Sequence, residues 1–224
     1  MSNIKLLSPF GPKVGQVKVP DNILDRINTL IDDMMFTKHS QPDLPRFLLE
    51  HLSDDETQFL HNTTKDFVNS CINNQELYLS SQCAYQDDKS KQHYRKYNFT
   101  KNHILHTEID QVWASINYEN DYNASHDHPT NTVSGVFYLN VPQFKQRTYK
   151  EYKGNILDGQ IEFINNSCGG LTESLEISSF SIEPRIGYLY IFPARLQHIV
   201  YPFKGEGERR AVSFNMRHWF GEKK

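Results

Sequence analysis

Cysteine is scarce. Cys71, Cys83 and Cys168 are odd in number and scattered. They form neither a disulfide framework nor a C-x-x-C zinc pattern. Met1 to Phe10 lacks the charged n-region and apolar h-region of a secretory signal. No apolar run approaches the length of a membrane span. A reducing, cytoplasmic setting without a membrane partner is therefore expected. Positive charge is not in excess either: 24 basic against 27 acidic residues leave a net charge of -3. That argues against broad nucleic-acid binding, which works by phosphate neutralisation. G-x-S-x-G, P-loop and H-E-x-x-H patterns are missing as well, so three large enzyme classes lose their signatures.

Aromatic bulk is plentiful, with 12 Tyr and 14 Phe in 224 residues. That is material for a sizeable core. No linker or repeat interrupts the chain. One domain over 1–224 is expected, α+β in class, with residues 1–105 mostly helical and 106–220 rich in strands. Pro20-Asp21 precedes a stripe of Ile23, Leu24, Ile27, Leu30, Ile31, Met34 and Met35, the spacing of an amphipathic helix. Asp21 is the candidate N-cap. Ser53-Asp54-Asp55-Glu56 reads as a capping box opening a second helix through Phe59, Leu60, Phe67 and Val68. An irregular strand is expected around Val14, Val17 and Val19. Gln86 to Lys101 interleaves basic and aromatic residues, but Asp87 and Asp88 dilute the charge. It reads as a solvated loop or edge strand. From about Ile109 short β runs follow one another: 112–118, 132–141, 160–164, 175–183, 187–192, 198–203 and 211–219. Regularly spaced strands with turn signals point to a sandwich or jelly roll, its sheet covered on one face by the helices.

Chemistry concentrates in the histidines. His126 and His128 flank Asp127; on an extended segment they point the same way. His198 follows the run Gly187 to Pro193, which reads as a buried strand closed by a proline turn. Three convergent imidazoles with open positions left over suit Fe, Zn, Cu or Ni. Structural histidines are the bland alternative. Arg209 and Arg210 open a further strand in which Val212 and Phe214 share one face, and Arg209, Ala211 and Ser213 the other. If the apolar face meets the helices, Arg209 points inward and needs an anionic partner. A small dicarboxylate is such a partner. The alternative is an exposed charge cluster with Glu206 and Glu208.

An ordered set of elements runs through this half of the chain. It comprises Trp113-Ala114-x-x-Asn117, His126-x-His128-Pro129, Ser134-Gly135-Val136-x-Tyr138-Leu139, Pro184-x-x-Gly187, Ile191-Phe192-Pro193, His198-x-Val200 and Arg209 through Asn215. Together, over roughly Val112 to Met216, they resemble a family of 2-oxoglutarate/Fe(II)-dependent oxygenases related to prolyl hydroxylases. The resemblance implies a double-stranded β-helix with Fe(II) at its mouth, and 2-oxoglutarate and O2 as cosubstrates. It places iron ligands on His126 and His198. It places the partner of the far 2-oxoglutarate carboxylate on Arg209, with Arg210 its near neighbour, helped by Ser213 or Tyr138. Members usually carry H-x-Asp/Glu; here the second position is His128. Either His128 is the third ligand, the reading adopted here, or a carboxylate such as Glu162 is. The implied reaction is hydroxylation with decarboxylation of 2-oxoglutarate to succinate. Peptidyl, amino-acid and small-metabolite substrates fit equally. Two alternatives remain open: a cupin-like three-histidine metalloenzyme that does not use 2-oxoglutarate, and a non-enzymatic jelly-roll binding module.

Overall fold

Alternation along four strands decides which residues face the site. The computed structural model describes residues 4–7, 12–37, 46–83, 103–145, 156–164 and 179–222. The stretches Gln86 to Lys101 and Asn165 to Ser174, most of Tyr149 to Gly159, and Cys168 lie outside them. In chain order the elements are β1 (Lys5–Leu7), β2 (Val14–Lys18), α1 (Asp21–Thr37), β3 (Arg46–Phe47), α2 (Asp54–Cys83), β4 (His103–Asn117), β5 (Asn123–His126) and β6 (Val133–Asn140). Then follow β7 (Ile161–Ile164), β8 (Ser179–Ile182), β9 (Tyr188–Pro193), β10 (His198–Val200) and β11 (Arg209–Glu222). All pairings within the two sheets are antiparallel. A seven-stranded sheet has the order β1-β2-β9-β6-β11-β4-β3, and a four-stranded sheet the order β5-β10-β7-β8.

The odd–even pattern of β4, β6, β9 and β11 sorts the core into two layers. Val112, Ala114, Phe137, Leu139, Leu189, Ile191, Val212 and Phe214 pack with Ile23, Ile27 and Ile31 of α1 and Leu60 and Phe67 of α2. The alternate residues Val136, Tyr138, Tyr190, Phe192 and Ala211 pack with Ile161, Phe163 and Val200 of the smaller sheet. Side chains of a strand change face at every residue, so Arg209, Ser213 and Ser134 fall on the inner, helix-free face.

Among the described residues, the N-terminal part holds strands as well as its two helices. β1 and β2 extend the large sheet beside β9, and β3 edges it beside β4. α1 begins one position earlier than the cap reading required: the Ile23 and Leu24 amides donate to the Pro20 carbonyl. Asp21 therefore sits in the first turn, where its charge favours the helix N-terminus, rather than at the cap. The capping box of α2 is present, with the Ser53 amide donating to Glu56 Oε2 at 2.7 Å and Arg26 paired to the same carboxylate. Among the described residues no helix is long and apolar enough to cross a membrane.

Candidate metal centre

Strand pairing brings two of the histidines together. β10 pairs with β5 so that His198 lies directly opposite His126, and their ring centroids are 4.3 Å apart. Residues 123–126, a short polar segment, form strand β5. The chain leaves β5 at His126, and the His128 amide donates to the Ala194 carbonyl at 2.8 Å. That bond swings the His128 ring back to 5.1 Å from His126 and 5.3 Å from His198. One nitrogen of each ring can be chosen so that all three lie within 4.8 Å of one another.

Backbone carbonyls orient two of the rings. His126 Nδ1 is 2.6 Å from the Ala124 carbonyl oxygen, and His198 Nδ1 is 2.9 Å from that of Leu196. A carbonyl only accepts, so each Nδ1 carries the proton and each Nε2 keeps its lone pair. Such outer contacts fix tautomer and ring orientation in metal sites. Phe192 and Phe163 rings lie against His198. Burial there pushes the His198 pKa down to about 4, and the neighbouring His126 and His128 push the same way. His128 is lowered too, by burial first. Both are held in the neutral form that ligates metals.

The two carboxylates near the histidines are engaged elsewhere. Glu162 sits on the face of β7 opposite to buried Phe163, with its carboxylate accepting from the Tyr201 hydroxyl at 2.6 Å. It is outside the histidine cluster. Asp127 turns away and pairs with Arg195. His128 is the side chain that joins His126 and His198.

Arg209 and Arg210 separate by alternation. Arg210 points to α1, paired with Asp32 and Glu208. Arg209 is 3% exposed and lines the same cleft as the histidines, together with Ser213, Tyr138, Ser134, Trp113 and Ser115. Its Nη1 donates to the Gly159 carbonyl at 2.7 Å and its Nη2 to Asn117 Oδ1 at 2.8 Å. Its Nε is buried without a partner. Burial pushes the Tyr138 hydroxyl up to about 12, so it remains a neutral donor. The cleft holds about 510 Å³ of empty space, its open mouth included, a size typical of small-molecule sites. No described residue lining it is a carboxylate. Sequence reasoning missed Asn117 and the pair Ser134 and Asn215, which contact the site residues across strands; that register is set by tertiary pairing.

Comparison with known families bears on this cleft. Residues 111–215 match the family described as "Putative 2OG-Fe(II) oxygenase". Over that segment the chain is similar to this family. The segment spans just under half of the chain and contains all three histidines, Arg209, Ser213 and Tyr138. Comparison with curated proteins returned no match. Among solved structures, a prolyl-4-hydroxylase from Pseudomonas putida is 14% identical with a TM-score of 0.45, covering 100% of this chain and 95% of that one. HygX from Streptomyces hygroscopicus, solved with nickel and 2-oxoglutarate bound, is 11% identical with a TM-score of 0.44, covering 96% and 82%. An oxidoreductase of the 2OG-Fe(II) oxygenase family from Burkholderia pseudomallei is 11% identical with a TM-score of 0.38 over 61% of this chain. The match spans 55%, about half, of the Burkholderia protein's length.

Proposed function

We propose that this chain is a 2-oxoglutarate- and Fe(II)-dependent dioxygenase that hydroxylates a C–H bond of its substrate while 2-oxoglutarate becomes succinate. The strands β4 to β11, divided between two facing sheets, are read as a double-stranded β-helix, a jelly-roll variant, and 1–224 as one domain. The observation that carries the reading is a carboxylate-free cleft holding both three convergent imidazoles and a buried arginine with an unpartnered nitrogen.

The residues fit the group they would hold. Nε2 atoms of His126, His128 and His198 are the ligand set for Fe(II), a metal that accepts imidazole. Neutral ligands leave the cation's charge uncompensated, and Arg209 adds one more. A doubly charged 2-oxoglutarate balances most of that sum. Its far carboxylate goes to Arg209, whose guanidinium is already clamped by Gly159 and Asn117 with Nε left to donate. A clamped fork loses little freedom on binding. Tyr138 and Ser213 add neutral hydroxyl donors beside it. Phe163 and Phe192 lie against His198 and shield it from water. When bound, iron and cosubstrate supply the oxidising power; the protein supplies geometry and a dry site.

Titration calorimetry of 2-oxoglutarate into anaerobic Fe(II)-loaded protein tests the assignment. Arg209→Lys keeps the charge but loses the fork, and the dissociation constant should rise about 10-fold or more, the worth of a charge-assisted hydrogen bond. Arg210→Gln, facing α1, should leave it unchanged. Equal affinities for wild type and Arg209→Lys would remove Arg209 from the site.

A further inference from the structure

Strand alternation sets an aromatic pair beside the cleft. Val112 and Ala114 are buried against the helices, so Trp113 between them turns to the other face, where it lines the cleft. Its ring centroid is 6.1 Å from that of His128. Phe47 on β3 is the direct cross-strand partner of Trp113. Such partners share a face, with Cβ atoms about 5 Å apart. Leu48, the next residue, is fully buried in the helix-facing core, and its amide donates to the Val112 carbonyl at 2.8 Å. That anchor holds Phe47 on the cleft side, where it is 59% exposed.

One exposed phenylalanine says little by itself. This one ends a row that crosses the inner face of the large sheet: Tyr190, Val136, Ser213, Trp113 and Phe47. The row starts at buried Tyr190 and ends in solvent. Its two outer rings form a shelf that leads from the surface to the histidines. Phe47 lies outside the segment similar to the oxygenase family, so half of the shelf comes from this chain's N-terminal part.

Charge decides what the shelf can take. An indole face attracts cations, but Arg209 lines the same cleft, and the metal proposed for the histidines would add to the repulsion. An anion would go to Arg209, the place assigned to 2-oxoglutarate. No other described residue lining the cleft is a carboxylate, lysine or arginine. An uncharged group is what remains. Two adjacent rings favour a third ring over an aliphatic chain, because stacked or edge-on aromatic contacts add to the area they bury.

We propose that Trp113 and Phe47 are specificity-determining residues that seat the substrate beside the metal, and that the part they seat is an uncharged aromatic ring. The proposal rests on the oxygenase reading of the same cleft.

The test titrates N-acetyl amino-acid amides into full-length Trp219→Phe protein loaded with Zn(II) and 2-oxoglutarate. The chain has two tryptophans. Trp219 stacks on His106 and is absent from the cleft lining, so its replacement leaves emission from Trp113 alone. The phenylalanine amide should shift that emission and bind about 5- to 10-fold more tightly than the leucine, lysine and glutamate amides. Phe47→Ala, a change at an exposed position, should weaken the phenylalanine amide about 2- to 10-fold, the worth of one ring contact. Phe47→Tyr should restore it. Equal binding of the four amides overturns the proposal, as does phenylalanine-amide binding unmoved by Phe47→Ala. Either result leaves the oxygenase reading standing if Fe(II)-loaded wild type still forms succinate from 2-oxoglutarate in air. Iron-loaded protein that forms no succinate overturns the oxygenase reading, and the proposal with it.

Discussion

His128 stands where the resemblance leads one to expect an acidic side chain, and an imidazole there would make a bound metal centre one charge unit more positive. If it ligates, His128→Ala should lower iron content as strongly as His198→Ala, measured by metal analysis after loading and desalting. Full iron content in His128→Ala would contradict a three-histidine set. The spacing of His126 and His128 was legible because period-2 geometry is local. Their meeting with His198 was legible only as an order of motifs. The placing of Glu162 away from the histidines was not legible, since it depends on which face of β7 is buried, and buried Phe163 decides that. Asn215 and Ser134 look like ordinary strand polar residues until pairing puts them opposite each other.

At the scale of elements, apolar and β-branched strands were readable and the polar one was not. β5, Asn123-Ala-Ser-His126, has no alternation and no β-branched residue. It is a strand because β10 pairs with it, which no local propensity reports. β4 and β11 run further than the apolar pattern implies, their outer halves pairing as far as Glu222 with His103. There α2 docks on β11 through His218, whose Nε2 lies 3.1 Å from Thr64 Oγ1 and whose Nδ1 lies 3.0 Å from Thr132 Oγ1. Burial pushes the His218 pKa down to about 4, helped by His61 and Lys65 on α2. An unfolded histidine titrates near 6.5. Between those values the unfolded chain takes up a proton that the folded chain refuses, so this contribution is complete above 6.5 and is lost as pH falls toward 4. Urea midpoints of metal-free wild type should therefore drop more steeply from pH 7 to pH 4 than those of His218→Gln. Parallel curves would show that His218 titrates normally in the folded protein.

Across the whole molecule, one alternation organises everything. Even positions of β11, Val212 and Phe214, pack with the helices; odd positions Arg209, Ala211 and Ser213 line the cleft, and Asn215 contacts His128. That division follows from the sequence once the apolar face is assigned to α1 and α2, and it also sends Arg210 to Asp32. The cleft that results is lined by Arg209 and by no described carboxylate, which supports the proposed pairing of a metal cation with an anion. The central claim is that the two are Fe(II) and 2-oxoglutarate. The direct measurement is succinate formed from 2-oxoglutarate by the Fe(II)-loaded protein in air, without added substrate. The account predicts slow, iron-dependent succinate release that disappears in His198→Ala and is restored toward wild-type rates in Arg209→Lys only at raised 2-oxoglutarate. Iron bound at full occupancy with no succinate above the metal-free control would contradict it.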